Sequence, residues 1–304
     1  MQSPNVEHVY VSLGNAGTAL LEKCENIPLT KHDDLLQFAL KNKIDLTVVG
    51  PEQPLVEDIV GLFKKHHLPI FGPAANGAIL EGSKIFAKNF MKQYRVATAT
   101  YETFDEVDKA MTYLKSTKKY PVVIKADGLA AGKGVEICQN LTQATACIQL
   151  FMTNNVFKHR NPSIVIEEYL TGVEASIICV TDGKTIKPLI SAQDHKTIYE
   201  NNQGPNTGGM GAVCPNQHVN ASVMTDFIQN IMKSTMKGIM AEHMDFHGFV
   251  FFGVMITKEG CKCLEYNVRM GDPECQSIIP LMDFDLLEMM LATINNKLDT
   301  FELK

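Results

Sequence analysis

Positive charge is in short supply in this chain. Of its 304 residues, 28 are Lys or Arg and 34 are Asp or Glu, a formal net charge of −6. That balance carries no general electrostatic footprint for nucleic acid. Long apolar runs are also missing: the strongest, around Phe249 to Ile256, is too short to span a bilayer, so no membrane partner is expected. The opening Met1-Gln2-Ser3-Pro4-Asn5 has neither the basic start nor the apolar stretch of a secretory signal. The 8 cysteines are too sparse for a disulfide scaffold, and none forms a CxxC pair, which excludes a zinc ribbon or a thioredoxin motif. Reduced cysteines packed as small hydrophobes in a cytoplasmic protein are expected instead. Cys261 and Cys263, two apart in a strand-like stretch, should share one face. No G-x-S-x-G elbow is present, which argues against an α/β-hydrolase. His243 and His247 lie four apart on an expected helix, but Glu does not follow His243, so this is not a zinc-protease motif. Internal repeats and low-complexity segments are absent.

What remains is a composition of 45% apolar and 20% charged residues, that of a soluble globular chain. Its length corresponds to about two domains, with one and three both compatible. Anionic small molecules stay within reach, because lysines and helix N-termini hold phosphate even on an acidic protein.

The first quarter alternates strand and helix. Val6 to Val11 reads as a strand, followed by the turn-rich Gly14-Asn15-Ala16-Gly17 and a helix near Asp33 to Asn42. Leu46 to Val49 is a second strand, Gly50-Pro51-Glu52 opens a helix, and Pro69 to Pro73 is a third strand. This alternation implies a parallel sheet wound with helices, with ligands at the C-terminal strand ends, where Gly14 to Thr18 and Glu52 fall. Ser83 caps a helix to Gln93. After Tyr101 the pattern changes to antiparallel-looking strands: Tyr120 to Lys125, Val135 to Cys138, Ile164 to Tyr169 and Glu174 to Val180, the last turning at Asp182-Gly183. A Met-rich helix is expected over 222–244, with Met224, Met232, Met236, Met240 and Met244 in the core. A hairpin of Phe249 to Thr257 with Cys263 to Val268 follows, and a helix over Leu286 to Asn296 closes the chain.

Four motifs carry chemistry. Lys125-Ala126-Asp127-Gly128-Leu129-Ala130-Ala131-Gly132-Lys133-Gly134-Val135 departs from a Walker A loop, since three residues separate Gly128 from Gly132 and Gly134 follows Lys133. Joining two strands, it can fold over a triphosphate as a lid, with Lys133 at its tip and Lys125 adding a fixed charge; an ordinary mobile hairpin is the alternative. In Glu265-Tyr266-Asn267-Val268-Arg269 the odd-numbered side chains share a strand face. Glu265 and Asn267 form a hard-oxygen pair suited to Mg²⁺ beside phosphate, and Arg269 can neutralise charge on a transferred phosphoryl group. A solvated face with a surface ion pair is the alternative. Glu167-Glu168-Tyr169-Leu170 ends a strand and can present backbone to an adenine edge, with Glu174 near enough for ribose hydroxyls. Finally, Gly204 to Ala212 holds four glycines in nine residues, preceded by Gln193-Asp194-His195-Lys196. Such glycine density implies close backbone approach or positive φ. Met270-Gly271-Asp272-Pro273-Glu274 adds two acids beside Arg269.

In this order, over essentially the whole chain, these motifs resemble the ATP-grasp enzymes and, among them, the phosphoribosylamine–glycine ligase family. The strings Gly-Pro-Asn-Thr-Gly-Gly-Met-Gly (204–211) and Arg-x-Gly-Asp-Pro-Glu (269–274) separate that family from other ATP-grasp carboxylate–amine ligases. The resemblance implies an ATP-grasp fold over 81–304, with a small lid subdomain at about 101–170, preceded by a parallel α/β domain over 1–80. It implies ATP and Mg²⁺ or Mn²⁺, with glycine and 5-phosphoribosylamine joined through a glycyl phosphate. Lys84 and Lys125 would contact ATP phosphates under the Gly128, Gly132, Lys133 and Gly134 lid. Glu167, Glu168, Tyr169 and Leu170 would hold adenine, and Glu174 the ribose. Glu265 and Asn267 would bind the metal. Arg269, Asp194 and Lys196, with Gly208, Gly209, Gly211, Gly271 and Asp272, would line the glycine and acyl-phosphate site. Gly14, Asn15, Gly17, Thr18 and Glu52 would face phosphoribosylamine. By the same resemblance Met1 falls after a first family strand with its Gly-Ser-Gly-Gly-Arg-Glu-His-type loop, and a C-terminal family domain lies beyond Lys304. Turnover would then draw on those pieces in trans or find them dispensable, or the chain would serve only as a nucleotide-binding, non-enzymatic fragment.

Overall fold

The computed structural model describes residues 3–130, 133–200 and 203–303. Its N-terminal part is built from two short parallel strand pairs. β1 (Val9–Ser12) and β2 (Cys24–Ile27) pair in parallel around α1 (Ala16–Ala19). After α2 (His32–Asn42), β3 (Thr47–Val48) leads through α3 (Glu52–Val56) and α4 (Ile59–Lys65) to β4 (Ile70–Pro73), which pairs with it in parallel. The alternation read from the sequence is there, but as two hydrogen-bonded pairs rather than one sheet. β2 is an additional strand that the sequence reading lacks: Cys-Glu-Asn-Ile has no apolar alternation to announce it. Pro51 is the N-cap of α3 and leaves Glu52 as its first helical residue.

α5 (Ala75–Gly82) and α6 (Lys84–Tyr94) meet at Ser83, whose hydroxyl accepts from Phe86 N as the expected cap. Next comes an antiparallel four-stranded sheet in the order β5-β8-β6-β7, made of Tyr101–Phe104 (β5), Val122–Ala126 (β6), Val135–Cys138 (β7) and Ile164–Glu168 (β8). α7 (Val107–Ser116) and α8 (Leu141–Ile148) cover it over a separate core containing Ile124, Ile164 and Phe151.

The central sheet is formed by β9 (Val173–Thr181), β10 (Ile186–Pro188), β15 (Phe246–Thr257) and β16 (Gly260–Asn267) and reaches β4 and β3 through the start of β15. Between its halves lie β11 (Gln193–Asp194), β12 (Thr197–Tyr199), β13 (Gln203–Asn206) and β14 (Ala212–Val213). β15 accounts for the long apolar run, because both of its faces are covered. Val250, Phe252 and Val254 enter the core under α6, whereas Phe249 and Phe251 pack toward the C-terminal helix. Each buried large side chain contributes about 1.5–3 kcal/mol relative to exposure.

The Met-rich helix is α9 (Ala221–Phe227) and α10 (Lys233–Ala241), joined by a π-turn over Ile228–Met232. Met232 and Met236 are buried, but Met240 is 53% exposed, and Met244 is buried beyond the helix end. The helix ends before His243, which takes φ 51°, and His247 lies in β15, so the two histidines do not share a helix face. α11 (Glu274–Ile278) and α12 (Leu286–Ile294) complete the chain.

Candidate active site

A bulge in β16 creates the centre of the site. Glu265 pairs with Gly253 of β15 and Cys263 with Val254, so Leu264 is an extra residue. Under strict alternation Cys261, Cys263, Glu265 and Asn267 would all share one face. The extra residue reverses the parity midway. Cys261 and Cys263 therefore turn into the core beside Tyr266, while Glu265 and Asn267 emerge on the opposite face. Lys125 Nζ donates to the Leu264 carbonyl at 3.1 Å and so fixes the bulge. Gly253 supplies the space, since a Cβ there would lie 3.1 Å from Glu265 Cγ.

Burial alone would raise the Glu265 pKa, but Lys196, Lys125, Lys84 and Arg269 together hold it below the usual carboxylate range. None of the four comes within direct ion-pair distance of it among the described residues. Four cations around one ionised carboxylate with an amide oxygen two residues away leave room for a divalent ion and polyphosphate. That donor set is the hard-oxygen kind that Mg²⁺ or Mn²⁺ accepts.

The lysines are anchored by the ends of neighbouring elements. Lys84, the first residue of α6, donates to the Gly128 carbonyl at 2.8 Å, and Asp127 accepts from Ser83 Oγ and Ile85 N. These bonds tie the start of α6 to the root of the β6–β7 loop. Burial lowers the Lys84 pKa, opposed by Glu265. Lys88, one turn along and 2% exposed, and Lys125 both sit 3.0 Å from the carboxylate of Glu167. Burial works against Lys125's charge, but Glu167 and Glu265 raise its pKa overall. For Lys88, burial wins and the pKa falls.

The glycine-rich loop packs against the segment that lines a pocket beside Glu265. Thr207 N, Met210 N and His195 N form backbone bonds between the 194–196 and 207–211 segments. Gly209, at φ +120°, has no room for a side chain, since a Cβ would lie 2.5 Å from Pro273 Cδ and 3.2 Å from Asp194 Oδ1. Glu174, Ser176, Asp194, Lys196, Phe251 and Glu265 are among the residues lining a small cavity of about 20 Å³. Asp194 Oδ1 is buried there without a hydrogen-bond partner among the described residues. Burial and the neighbouring Glu274 push Asp194 up to about 6, against Lys196 and His195. Burial would lower Lys196, but Glu265, Glu174 and Asp194 raise it. Glu274 is itself buried and accepts from Ser176 Oγ at 2.7 Å. A small zwitterion with a cationic and an anionic end matches a pocket with one orphan carboxylate oxygen and one raised lysine.

Arg269 bridges the two parts of the molecule. Its Nε lies 3.3 Å from Glu52, its Nη2 donates to Glu81 at 2.7 Å, and Nη2 stands 3.4 Å from the Asn267 amide oxygen. Glu81 also accepts from Val268 N at 2.7 Å. Burial raises Glu81 to about 7 despite Arg269.

Lys84, Lys125, Lys196, Glu265, Asn267, Arg269, Asp194 and Glu52 are thus drawn into one connected region. Glu174 is exposed at its rim. Glu167 points inward to the lysines, whereas Glu168 accepts from Thr100 N, and Tyr169 is 44% exposed. Leu170 is half-buried, and Gly208, Gly211, Lys133 and Asp272 are exposed. Gly134 and Gly271 are buried, and Gly271 packs so closely on Glu274 that a Cβ would lie 2.2 Å from its Oε2. Gly128 (φ +89°) carries His159 against it, and Gly132 lies outside the described residues. Gly14 to Thr18 form a separate unit: Asn15 and Thr18 cap α1 reciprocally, Asn26 bonds to both residues, and Gly17 is exposed. Glu81, Lys88 and Gly253 escaped the sequence reading. In α5 and α6 the two charges look like ordinary polar positions, and only the inward orientation of a helix face distinguishes them. No group of three or more His, Cys, Asp or Glu side chains that could hold a metal ion occurs among the described residues.

Family models place this geometry. The phosphoribosylglycinamide synthetase N domain matches residues 1–81, and the ATP-grasp (A) domain of the same synthetase matches 82–275. A phosphoribosylamine–glycine ligase of Clostridium acetobutylicum is 52% identical over 303 residues, 100% of this chain and 73% of that one. The crystal structure of the Thermotoga maritima phosphoribosylamine–glycine ligase superposes with a TM-score of 0.80 at 30% identity, over 98% of this chain and 71% of that one. A biotin carboxylase from Campylobacter jejuni shares the fold at a TM-score of 0.75 and 15% identity, over 97% of this chain and 67% of that one. The chain belongs to the phosphoribosylamine–glycine ligase family of ATP-grasp enzymes.

Proposed function

We propose that this chain is an ATP-dependent carbon–nitrogen ligase that joins glycine to 5-phosphoribosylamine, giving glycinamide ribonucleotide, ADP and phosphate in purine biosynthesis in the cytoplasm. The observation that carries this reading is the convergence of Lys84, Lys125, Lys196 and Arg269 on Glu265, beside a pocket with an unpartnered Asp194 oxygen. The glycine carboxylate oxygen attacks the γ-phosphorus of ATP, the bond to the bridging oxygen breaks, and ADP leaves. The ribosylamine nitrogen then attacks the acyl carbon, the carbon–oxygen bond to phosphate breaks, and the nitrogen loses a proton.

No covalent enzyme nucleophile is required; the side chains position groups and neutralise charge. Lys84 and Lys125 take the phosphates, under a β6–β7 loop rooted by the Lys84–Gly128 bond. Glu167 reads as a brace for Lys125, leaving the backbone of Glu168, Tyr169 and Leu170 for the adenine edge and Glu174 for ribose. Glu265 and Asn267 hold Mg²⁺ or Mn²⁺, which when bound screens charge between adjacent phosphates. Asp194 accepts from the glycine ammonium, with Gly208, Gly209 and Gly211 allowing close approach. Lys196 and Arg269 face the carboxylate and the phosphate formed from it. Glu52, with Gly14, Asn15, Gly17 and Thr18 at the ends of β3 and β1, provides the phosphoribosylamine side, where parallel-strand ends receive ligands.

The test is ADP release by the purified chain. The expected result is release that needs glycine and phosphoribosylamine together. Nucleotide-dependent protection of the β6–β7 loop without any product would contradict the reading and leave a nucleotide-binding protein.

A further inference from the structure

Arg269 is held by two carboxylates from other elements, and the two holders differ. Glu52 reaches Nε at 3.3 Å from a position still part-exposed. Glu81 is 9% exposed and makes two bonds of 2.7 Å, one to Arg269 Nη2 and one to Val268 N. Its two oxygens therefore fix the guanidinium and the backbone just before it at the same time. The other hydrogen bonds of the fork, Nη1 to the Met270 carbonyl at 3.2 Å and Nη2 to the Asn267 amide oxygen at 3.4 Å, are local. An arginine has several rotatable bonds, and losing that freedom on substrate binding would cost about 1–2 kcal/mol if nothing held it beforehand.

We propose that Glu81 is a positioning residue for the ligase reaction: it holds the Arg269 guanidinium, through a two-point clamp on Arg269 and Val268, in the orientation that meets the transferred phosphoryl group. The inference rests on the role given to Arg269 above. A carboxylate is needed because both partners are donors. A glutamine has one oxygen and must turn its amide N–H₂ toward one of them, and an aspartate is a methylene too short to span both. Glu81 touches no substrate in this arrangement and acts only through Arg269.

The experiment is a double-mutant cycle on the full chain, read by ADP release, with thermal unfolding recorded for every variant. E81Q is expected to lower kcat about tenfold or more while leaving the KM for ATP within about twofold, since the lysine cluster is untouched. R269K should lower kcat by itself. E81Q added to R269K should then cost less than about twofold, because the fork that Glu81 orients is gone. Equal losses from E81Q in both backgrounds would overturn the inference in favour of a structural role, as would an E81Q of unchanged kcat beside an impaired R269K. If R269K keeps full turnover, the role given to Arg269 fails first, and the inference falls with it. Should E81Q not fold, E81D carries the same cycle, with charge retained and only reach removed.

Discussion

The two halves of the site are built in different ways. Around Glu265, charged groups sit at the ends of long, covered elements, and a buried glutamate, Glu167, is spanned by two lysines at 3.0 Å each. Around Gly14 to Thr18, β1 and β2 contribute one buried residue, Ile27, while Leu13 and Leu20 are 63% and 86% exposed. Polar groups there satisfy one another within a few residues. The half proposed to handle phosphate is thus held before any substrate arrives, and its cost in buried charge is met by the core. The half proposed for the ribosyl substrate is a local, lightly packed unit whose geometry depends on caps rather than on a core.

The strongest way to break this contrast is at its centre. E265A leaves Lys84, Lys125, Lys196 and Arg269 facing one another and removes the proposed metal ligand. We expect turnover to fall by about a thousandfold or more, measured as steady-state ADP release. Next, E167A leaves Lys88 and Lys125 buried without their shared partner. Denaturant unfolding should show a loss of about 3–5 kcal/mol, as for other broken buried pairs. A loss near zero would mean that the cluster is not rigidly held. G209A forces a side chain onto Pro273 at φ +120°, a strain of about 1–3 kcal/mol that should appear as an increase in the KM for glycine with that for ATP unchanged.

Acidity tests the same pocket. Asp194 is pushed up to about 6, so it binds a proton as pH falls through that value and ceases to attract an ammonium. The KM for glycine should rise about tenfold per pH unit below about 6, and D194N should remove that slope. The smallest effect is expected in the other half. N15A deletes the capping box of α1 and should cost about 1 kcal/mol, seen as faster amide exchange in Ala16–Ala19 with ATP affinity unchanged.

The sequence was most legible where chemistry needs a residue type in a fixed order. Lys125, Glu265, Asn267, Arg269, Asp194 and the 204–212 glycines could all be named from their strings, because glycine at positive φ and paired hard oxygens have few substitutes. The ATP-grasp fold was readable for the same reason. What could not be read depends on parity and orientation. The Leu264 bulge leaves no mark in the string, yet it decides that Cys263 is core and Glu265 is site. Glu81 and Lys88 are polar residues on amphipathic helices, and only packing turns them inward. β2 was missed because its pairing with β1, not its own composition, makes it a strand. Met240 and His243 erred in the opposite direction: helical spacing continued on paper past the point where the helix face turns to solvent or ends.

The central claim is that glycine is activated on its carboxylate by phosphoryl transfer in the Lys84–Lys125–Glu265 site. Glycine labelled with ¹⁸O in both carboxylate oxygens, turned over with ATP and phosphoribosylamine, should deliver one ¹⁸O to each inorganic phosphate released. Unlabelled phosphate accompanying product formation would contradict the acyl-phosphate route.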